Sequence, residues 1–425
     1  MEITVHQGSI AGEITAPASK SYAQRAIAAA LLAEGETTLT HLDLCNDSRA
    51  ALDTAQRLGA TVSNNGNTYT IHGGLNPTST KLNIGESGLA ARLFTPIASL
   101  CNLAITLNGE GSILRRPIEM MEEPLQALGV EVVSNGGYLP ISVNGPMHGG
   151  EVRVDGSLSS QFITGLLMAL PLVKEDTILR VDNLKSRPYV DMTIGLAEQF
   201  GVTIEHNDYE QFYVPGGQHY KACTYNIEGD WSGASCLLVA GAIAGNITIL
   251  NLNHLSQQAD LAIIDAMVRA GAEIITTDHS ITVNREPLHA FEFDATHCPD
   301  LFPALAALAS CCEGTTVLTG TRRLTFKESN RAETIAEVFG RMGIHIDLSQ
   351  ENKMLITGGP IASTRIHSHN DHRIAMAAAV AALRSDGHII IEGADAVDKS
   401  YPEGSRILAL QRVVDKSNCL HSSAF

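Results

Sequence analysis

Five glycines spaced almost evenly along the chain restrict its architecture more than any other feature. Gly59, Gly129, Gly201, Gly271 and Gly343 lie 70, 72, 70 and 72 residues apart. Each closes an amphipathic helical stretch and opens an alternating strand, as in AQRLGATVS, LQALGVEVV, AEQFGVTIE, MVRAGAEII and FGRMGIHID. A polar turn and a second strand come next, so each copy predicts a helix end, a glycine in the left-handed region and a strand hairpin. Near-constant spacing over five copies sets this apart from ordinary α/β periodicity and marks an internal repeat.

A second pattern interleaves with the first. Six polar clusters, SKSYAQR, GESGLAAR, SSQFITG, GDWSGAS, CPDLFPA and NDHRIAM, each open an Ala/Leu-rich helix that leads into a strand. Each unit therefore reads βαβαββ, with the Ala-rich helices buried at the centre and the sheets outside them. Six openings and five helix–hairpin endings leave one ending to find. Its helix is expected at Ser405–Val414, and its hairpin from the amino-terminal EITV and GEITA. Both termini then share one lobe, 1–18 plus 229–425, into which the other, 19–228, is inserted. Each lobe holds three units, and the active site is expected in the cleft between them.

Composition bounds the function. The 425 residues are 44% hydrophobic and 18% charged, as in globular proteins, and are too many for one ordinary core. The opening MEITVHQG has no basic or apolar leader region, so no signal peptide is expected. The stretches Ala234–Gly245 and Ile374–Leu383 are shorter than a bilayer span and read as buried helices. Eight cysteines without a CxxC pair fit a reduced, cytoplasmic protein. A formal net charge of −17 argues against nucleic acid as the main partner, so anionic substrates need basic residues concentrated locally.

The polar openings supply that concentration. Helix amino termini present free N–H groups and the positive end of the macrodipole. Lys20, Ser21, Arg25, Arg92, Ser159, Ser160, Gln161, His372 and Arg373 stand there, and the intervening segments add Arg116, Lys327, Glu328, Arg331 and Lys399. Taken singly, Ser19, Ser159 and Asp300 read as helix N-caps, Lys20 and Arg25 as solvated charges, His372 as a surface histidine, and Glu328 with Arg331 as a pair three residues apart. Their recurrence at equivalent places in the repeats favours a cleft for dianions. No GxxxxGK[ST] loop, GxGxxG, HExxH, GxSxG or cysteine–histidine cluster occurs. The expected chemistry is electrostatic and acid–base, with no cofactor and no metal.

Seven motifs in order carry a family resemblance. TAPASKSYAQR (Thr15–Arg25), RRPIE (Arg115–Glu119), VDGSLSSQFITGLLMALPL (Val154–Leu172), KSRPYVDMT (Lys185–Thr193), FKESNRAE (Phe326–Glu333), NDHRIAM (Asn370–Met376) and DKSYPEG (Asp398–Gly404) cover essentially the whole chain. Together they resemble the 5-enolpyruvylshikimate-3-phosphate synthase family of enolpyruvyl transferases. The resemblance implies a two-lobed inverse α/β barrel of six βαβαββ repeats, three per lobe, as the repeat arithmetic suggests independently. It also implies transfer of the enolpyruvyl group of phosphoenolpyruvate to the 5-hydroxyl of shikimate 3-phosphate by addition–elimination, in a cytoplasmic monomer of the shikimate pathway.

Residue roles follow from the resemblance. Lys20, Ser21, Arg25, Ser159, Ser160, Gln161, Ser186, Asp300, Arg323 and Lys327 are implied to hold shikimate 3-phosphate, with Tyr189 packing nearby. Lys20, Gly88, Arg92, Arg116, Gln161, Arg331, His372, Arg373 and Lys399 are implied to hold phosphoenolpyruvate. Asp300, Glu328 and Lys20 are the implied acid–base groups. Two places depart from the family pattern. The usual NAGTAMR loop reads ESGLAAR (Glu86–Arg92), bringing a carboxylate to the phosphoenolpyruvate side, and Arg323 stands where Asn is common. A transferase acting on UDP-N-acetylglucosamine is expected to show Lys-Asn where this chain has Lys20-Ser21, and a cysteine after RRPIE. A non-catalytic anion-binding paralogue is expected to lose Asp300, Glu328 or Lys20, and all three are present.

Overall fold

The computed structural model describes residues 1–400 except His279 and Phe326. The expected helix at Ser405–Val414 and the end of DKSYPEG lie outside the described residues. The chain divides into two compact units: Ala18–Ile227, and Met1–Pro17 joined by the described residues from Glu228 onward. No helix among the described residues is long and apolar enough to cross a membrane.

All six polar openings start helices. In the unit from Ala18 these are Lys20–Leu32, Gly88–Ala98 and Gln161–Ala169; in the other they are Trp231–Ala244, Phe302–Ser310 and His372–Ala382. Ala and Leu supply helix propensity without bulk, and side-chain caps fix several starts. Ser87 accepts from the N–H of Ala90, Asp230 from Ser232 and Asp371 from Arg373. Nearly every residue of these helices is buried. Helices apolar all round belong at the centre of a unit, and small residues let them approach closely. A Cβ on Gly165 would lie 2.2 Å from the Arg92 carbonyl oxygen, which marks the crossing of the second and third helices.

Around these helices the sheets repeat one plan. A central strand pairs on one side with a parallel strand and on the other with an antiparallel hairpin. Ala104–Asn108 thus lies between Lys81–Asn83 and Tyr138–Asn144, with Glu131–Asn135 outermost. Thr177–Asp182 and Thr315–Thr319 are central in the same way. Central strands alternate buried and less buried positions, as at Thr315–Thr319 and His388–Glu392, because one face covers the helices. The five repeated glycines all have positive φ, between +81° and +124°, and each ends a helix and starts the outer hairpin strand.

The amino terminus corrects one expectation. EITV and GEITA do not form a hairpin together. Glu2–His6 pairs antiparallel with His388–Glu392 in a sheet that has three strands among the described residues, whereas Ile10–Thr15 runs parallel to Gly245–Leu250 in another sheet. Between them the N–H groups of Gln7 and Gly8 donate to Gly387 and Leu383, carrying the chain across rather than back. Ile10–Thr15 takes the parallel edge that the sheet of Gly245–Leu250 would otherwise lack. Thr224–Asn226 fills the same position beside Glu36–Thr40. Each strand that approaches a crossing between units therefore completes a sheet of the unit it is leaving.

A further repeat escaped the sequence reading. A glycine follows the last hairpin strand in four sheets and presses on backbone near the end of a buried helix. A Cβ would lie 2.1 Å from the Ala30 oxygen at Gly73, 2.0 Å from Ser99 at Gly145, 2.4 Å from Glu175 at Gly216 and 1.9 Å from Cys312 at Gly358. Backbone cannot yield as a side chain can. Gly358→Ala is expected to cost about 1–3 kcal/mol, the usual range for overpacking. Gly340→Ala, on the exposed face of the Arg331–Arg341 helix with nothing within 4 Å, should instead stabilise by up to about 1 kcal/mol. Thermal and denaturant unfolding of the two variants will check the opposite signs.

Candidate active site

In the Ala18–Ile227 unit the starts of the three buried helices lie side by side. Ser87 donates to the Gln24 side chain at 2.8 Å, joining the first helix to the cap of the second. Arg92 donates to Gln161 at 3.3 Å, joining the second to the third. The basic residues gathered there are more buried than a solvated reading allows. Arg25 is 1% exposed, and it donates to Thr193 at 2.9 Å, Thr164 at 3.3 Å, the Tyr189 carbonyl at 3.1 Å and the Ser21 carbonyl at 2.9 Å. Arg92 donates to the Gly88 and Pro117 carbonyls at 3.0 and 2.7 Å. Every one of these acceptors is neutral. Burial pushes the Arg25 guanidinium down to about 10, and burial with the neighbouring Arg116 charge pushes Arg92 to about 9.

Arg116 packs against the helix start itself. A Cβ on Gly88 would meet its Nη1 at 2.5 Å and its Cζ at 2.8 Å, so any larger residue at 88 would displace the guanidinium. Lys20, at the head of the first helix, is ion-paired with Asp47 at 3.1 Å. Ser160 precedes the third helix, and Ser159 Oγ accepts the Gln161 N–H at 3.2 Å. Ser186 sits in the left-handed region at φ 55° directly before the Arg187–Gln199 helix. That helix supplies Tyr189 and Thr193, so Ser21, Arg25, Ser186 and Tyr189 share one neighbourhood.

The other unit assembles the acidic candidates with their own cations. Asp300 does not cap its helix. One carboxylate oxygen accepts from Lys327 at 3.1 Å and Arg331 at 2.8 Å, and the other from Arg373 at 3.3 Å. Burial opposes its charge, but Arg373, Lys327 and Arg331 together hold it well below the usual carboxylate range. Arg331, fully buried, also donates to Glu328 at 2.6 Å and to Asp371 at 2.9 Å. Its pKa is raised: burial works against its charge and the three carboxylates outweigh it. Burial lowers Lys327, with the Asp300 and Glu328 carboxylates opposing and the Arg331 and Arg323 charges assisting. Arg323 is half-buried at the end of a short 3-10 turn. Lys399, also buried, donates to the Asn370 carbonyl at 3.1 Å. His372 is 2% exposed and is not a surface histidine.

Several partners were missed from sequence. Asp47 sits in an ordinary helical stretch with no signal of its own, and Thr164 and Thr193, though inside VDGSLSSQFITGLLMALPL and KSRPYVDMT, carry no charge to mark them as partners of Arg25. Asp371 was visible within NDHRIAM, where it both caps the His372 helix and holds Arg331. Asp260 was unmarked too, although it is 1% exposed and accepts a hydrogen bond from Ser232 Oγ. Burial, then the Asp300 charge, push its pKa up to about 6, with Arg373 and the Ser232 hydroxyl opposing.

That shift fixes the sign of a pH effect. A carboxyl whose pKa rises on folding adds stability below the unfolded value and loses it as pH rises through the folded value. At pH 8 Asp260 must be ionised while buried, at a cost on the order of 1–3 kcal/mol. Asp260→Asn, which keeps an acceptor for Ser232, should therefore raise Tm at pH 8, and the gain should vanish below about pH 4. Thermal melts of both proteins from pH 3.5 to 8 test this.

Known proteins match both the sequence and the fold. The family model described as EPSP synthase (3-phosphoshikimate 1-carboxyvinyltransferase) matches residues 5–408. A 3-phosphoshikimate 1-carboxyvinyltransferase of Methanococcoides burtonii is 37% identical over 413 residues, covering 95% of this chain and 96% of that protein. One from Clostridium kluyveri is 34% identical over 404 residues, covering 94% and 95%. The solved EPSP synthase of Acinetobacter baumannii superposes with a TM-score of 0.81 at 26% identity, over 96% of this chain and 97% of that one. With its repeats, its helix-end cations and its Asp300–Arg331 cluster, this chain belongs to the EPSP synthase (3-phosphoshikimate 1-carboxyvinyltransferase) family.

Proposed function

We propose that the protein transfers the enolpyruvyl group of phosphoenolpyruvate to the 5-hydroxyl of shikimate 3-phosphate, releasing phosphate, as a cytoplasmic monomer in aromatic amino-acid biosynthesis. The observation that carries this reading is the placement of Arg25, Arg92 and Arg116. These are neighbouring buried or half-buried cations whose bonded acceptors, where they have them, are neutral. Burying a charge without a counter-ion is costly, and small dianions offset that cost. Arginine forks take carboxylate and phosphate two-pronged, each charge-assisted bond contributing roughly 1.5–3 kcal/mol.

In this reading Ser21, Arg25, Ser159, Ser160, Gln161, Ser186, Tyr189, Arg323 and Lys327 hold shikimate 3-phosphate. Gly88, Arg92, Arg116, Gln161, Arg331, His372, Arg373 and Lys399 hold phosphoenolpyruvate, and Lys20 touches both. The 5-hydroxyl oxygen bonds to C2 of phosphoenolpyruvate while its proton passes to Asp300 and Glu328 protonates C3. The resulting ketal then loses phosphate, assisted by Lys20, and returns the C3 proton to Glu328.

The charges on Asp300 suggest how its basicity is timed. Three cations make it a weak base in the free protein. Substrate phosphate and carboxylate groups that draw Arg331, Arg373 and Lys327 toward themselves raise its pKa. The base therefore gains strength as each substrate binds and is strongest with both in place, which limits idle proton transfer.

The purified protein should release phosphate only when both phosphoenolpyruvate and shikimate 3-phosphate are present. Equal turnover with UDP-N-acetylglucosamine would overturn the reading. Asp300→Asn should lower kcat by roughly 10²–10⁴-fold, the span of general acid–base catalysis. Lys20→Met should lower kcat/KM by roughly 10²-fold or more, as loss of a preorganised charge does. Near-normal steady-state kinetics for either variant would remove that residue from its role.

A further inference from the structure

Glu86 brings a carboxylate into a neighbourhood that gathers positive charge, and its contacts indicate what it does there. One of its oxygens accepts two hydrogen bonds from Ser112, from the backbone N at 2.8 Å and from Oγ at 2.8 Å. The approach is tight enough to need glycine opposite. A Cβ on Gly111, at φ +58°, would lie 2.4 Å from the Glu86 carboxyl carbon. Alongside, the N–H of Glu110 donates to the Gly85 carbonyl at 2.9 Å. The segment before the Gly88–Ala98 helix and the turn at Gly109–Ser112 are thus fastened together.

That turn leads straight to Arg116. Gly111–Arg115 form a short 3-10 helix whose last bond is donated by the N–H of Arg116 to the Ile113 carbonyl at 3.0 Å. The Arg116 side chain then returns to Gly88, two residues beyond Glu86, where its guanidinium occupies the space a Cβ would need. Its Nε is buried there with no hydrogen-bond acceptor. The loop is closed at two points: Glu86 on Ser112, and Arg116 on Gly88.

We propose that Glu86 is a positioning residue: it directs its carboxylate to Ser112, not to substrate, and by holding the Gly111–Arg115 turn it sets the Arg116 guanidinium over Gly88 to receive phosphoenolpyruvate. This rests on the function proposed above. A carboxylate makes stronger bonds to the two Ser112 donors than a neutral acceptor would. Releasing the turn lets Arg116 drift, and a misplacement on the order of 1 Å costs up to about 10²-fold.

Steady-state kinetics of the full chain separate the outcomes. Glu86→Ala should raise KM for phosphoenolpyruvate about tenfold or more, with KM for shikimate 3-phosphate and kcat changed less than about twofold, the pattern of a lost binding contact. Glu86→Gln, whose amide oxygen still accepts from the Ser112 N–H, should restore most of the affinity. Ser112→Ala, removing one donor from the other side, should raise the same constant by a smaller factor. An unchanged KM for phosphoenolpyruvate in Glu86→Ala overturns the proposal. So does a parallel rise of both KM values with a fall in Tm, or a failure of Glu86→Gln to restore affinity. A parent enzyme that releases no phosphate from the two substrates sinks the underlying function and this inference with it, and that result is visible before any variant is made.

Discussion

A helix buried on every side can satisfy its first-turn N–H groups only at its own end. Among the described residues six Ala-rich helices are of that kind, and their burial dictates much of what surrounds them. Ser87, Asp230 and Asp371 each cap one start, yet each cap answers only part of the demand, since an α-helix leaves four such groups open. Within each unit the starts stand next to one another, as the Gln24–Ser87, Arg92–Gln161 and Asp300–Arg373 bonds show, with Asp260 linking Ser232 to the Asp300–Arg373 pair. Neighbouring starts add their positive ends together. A chain with a net charge of −17 thereby acquires anion-seeking regions without becoming basic overall.

The two units use that polarity differently. In the Ala18–Ile227 unit the guanidinium groups of Arg25 and Arg92 rest on hydroxyl, carbonyl and amide oxygens, which orient them without cancelling their charge. In the other, Arg331 is held by three carboxylates and Asp300 by three cations. The first arrangement leaves positive charge without a bonded carboxylate. The second is internally paired, so an anion drawn to Arg331, Arg373 or Lys327 has to compete with the carboxylates already there, and loosening those pairs raises the pKa of Asp300. A buried network of this kind constrains geometry tightly, because breaking any pair leaves an uncompensated charge in a low-dielectric setting.

Much of the architecture was legible in the chain. The left-handed glycines punctuate the repeat because few other residues tolerate positive φ at a helix end, so Gly59, Gly129, Gly201, Gly271 and Gly343 announced themselves by type and spacing. The helix openings were equally plain, since caps and apolar runs are local properties. The second set of glycines was not, because Gly73, Gly145, Gly216 and Gly358 answer to carbonyls near or just past the ends of helices far away in the chain. Strand partners at the amino terminus were also misjudged. Adjacent strands usually form hairpins, and only the demand of two different sheets for an edge separates Glu2–His6 from Ile10–Thr15.

For the site, the sequence by itself determined which residue types could do the chemistry and that they recur at helix starts, since those facts depend on neighbours within a turn or two. Tertiary structure alone decided who faces whom. It paired Lys20 with Asp47, set Thr164 and Thr193 under Arg25, turned Glu86 toward Ser112 and brought Asp260 beside Asp300. The physical reason is that charge and desolvation act through space. Whether a carboxyl is strongly acidic, as at Asp300, or a much weaker acid, as at Asp260, depends on burial and on groups tens of residues away along the chain.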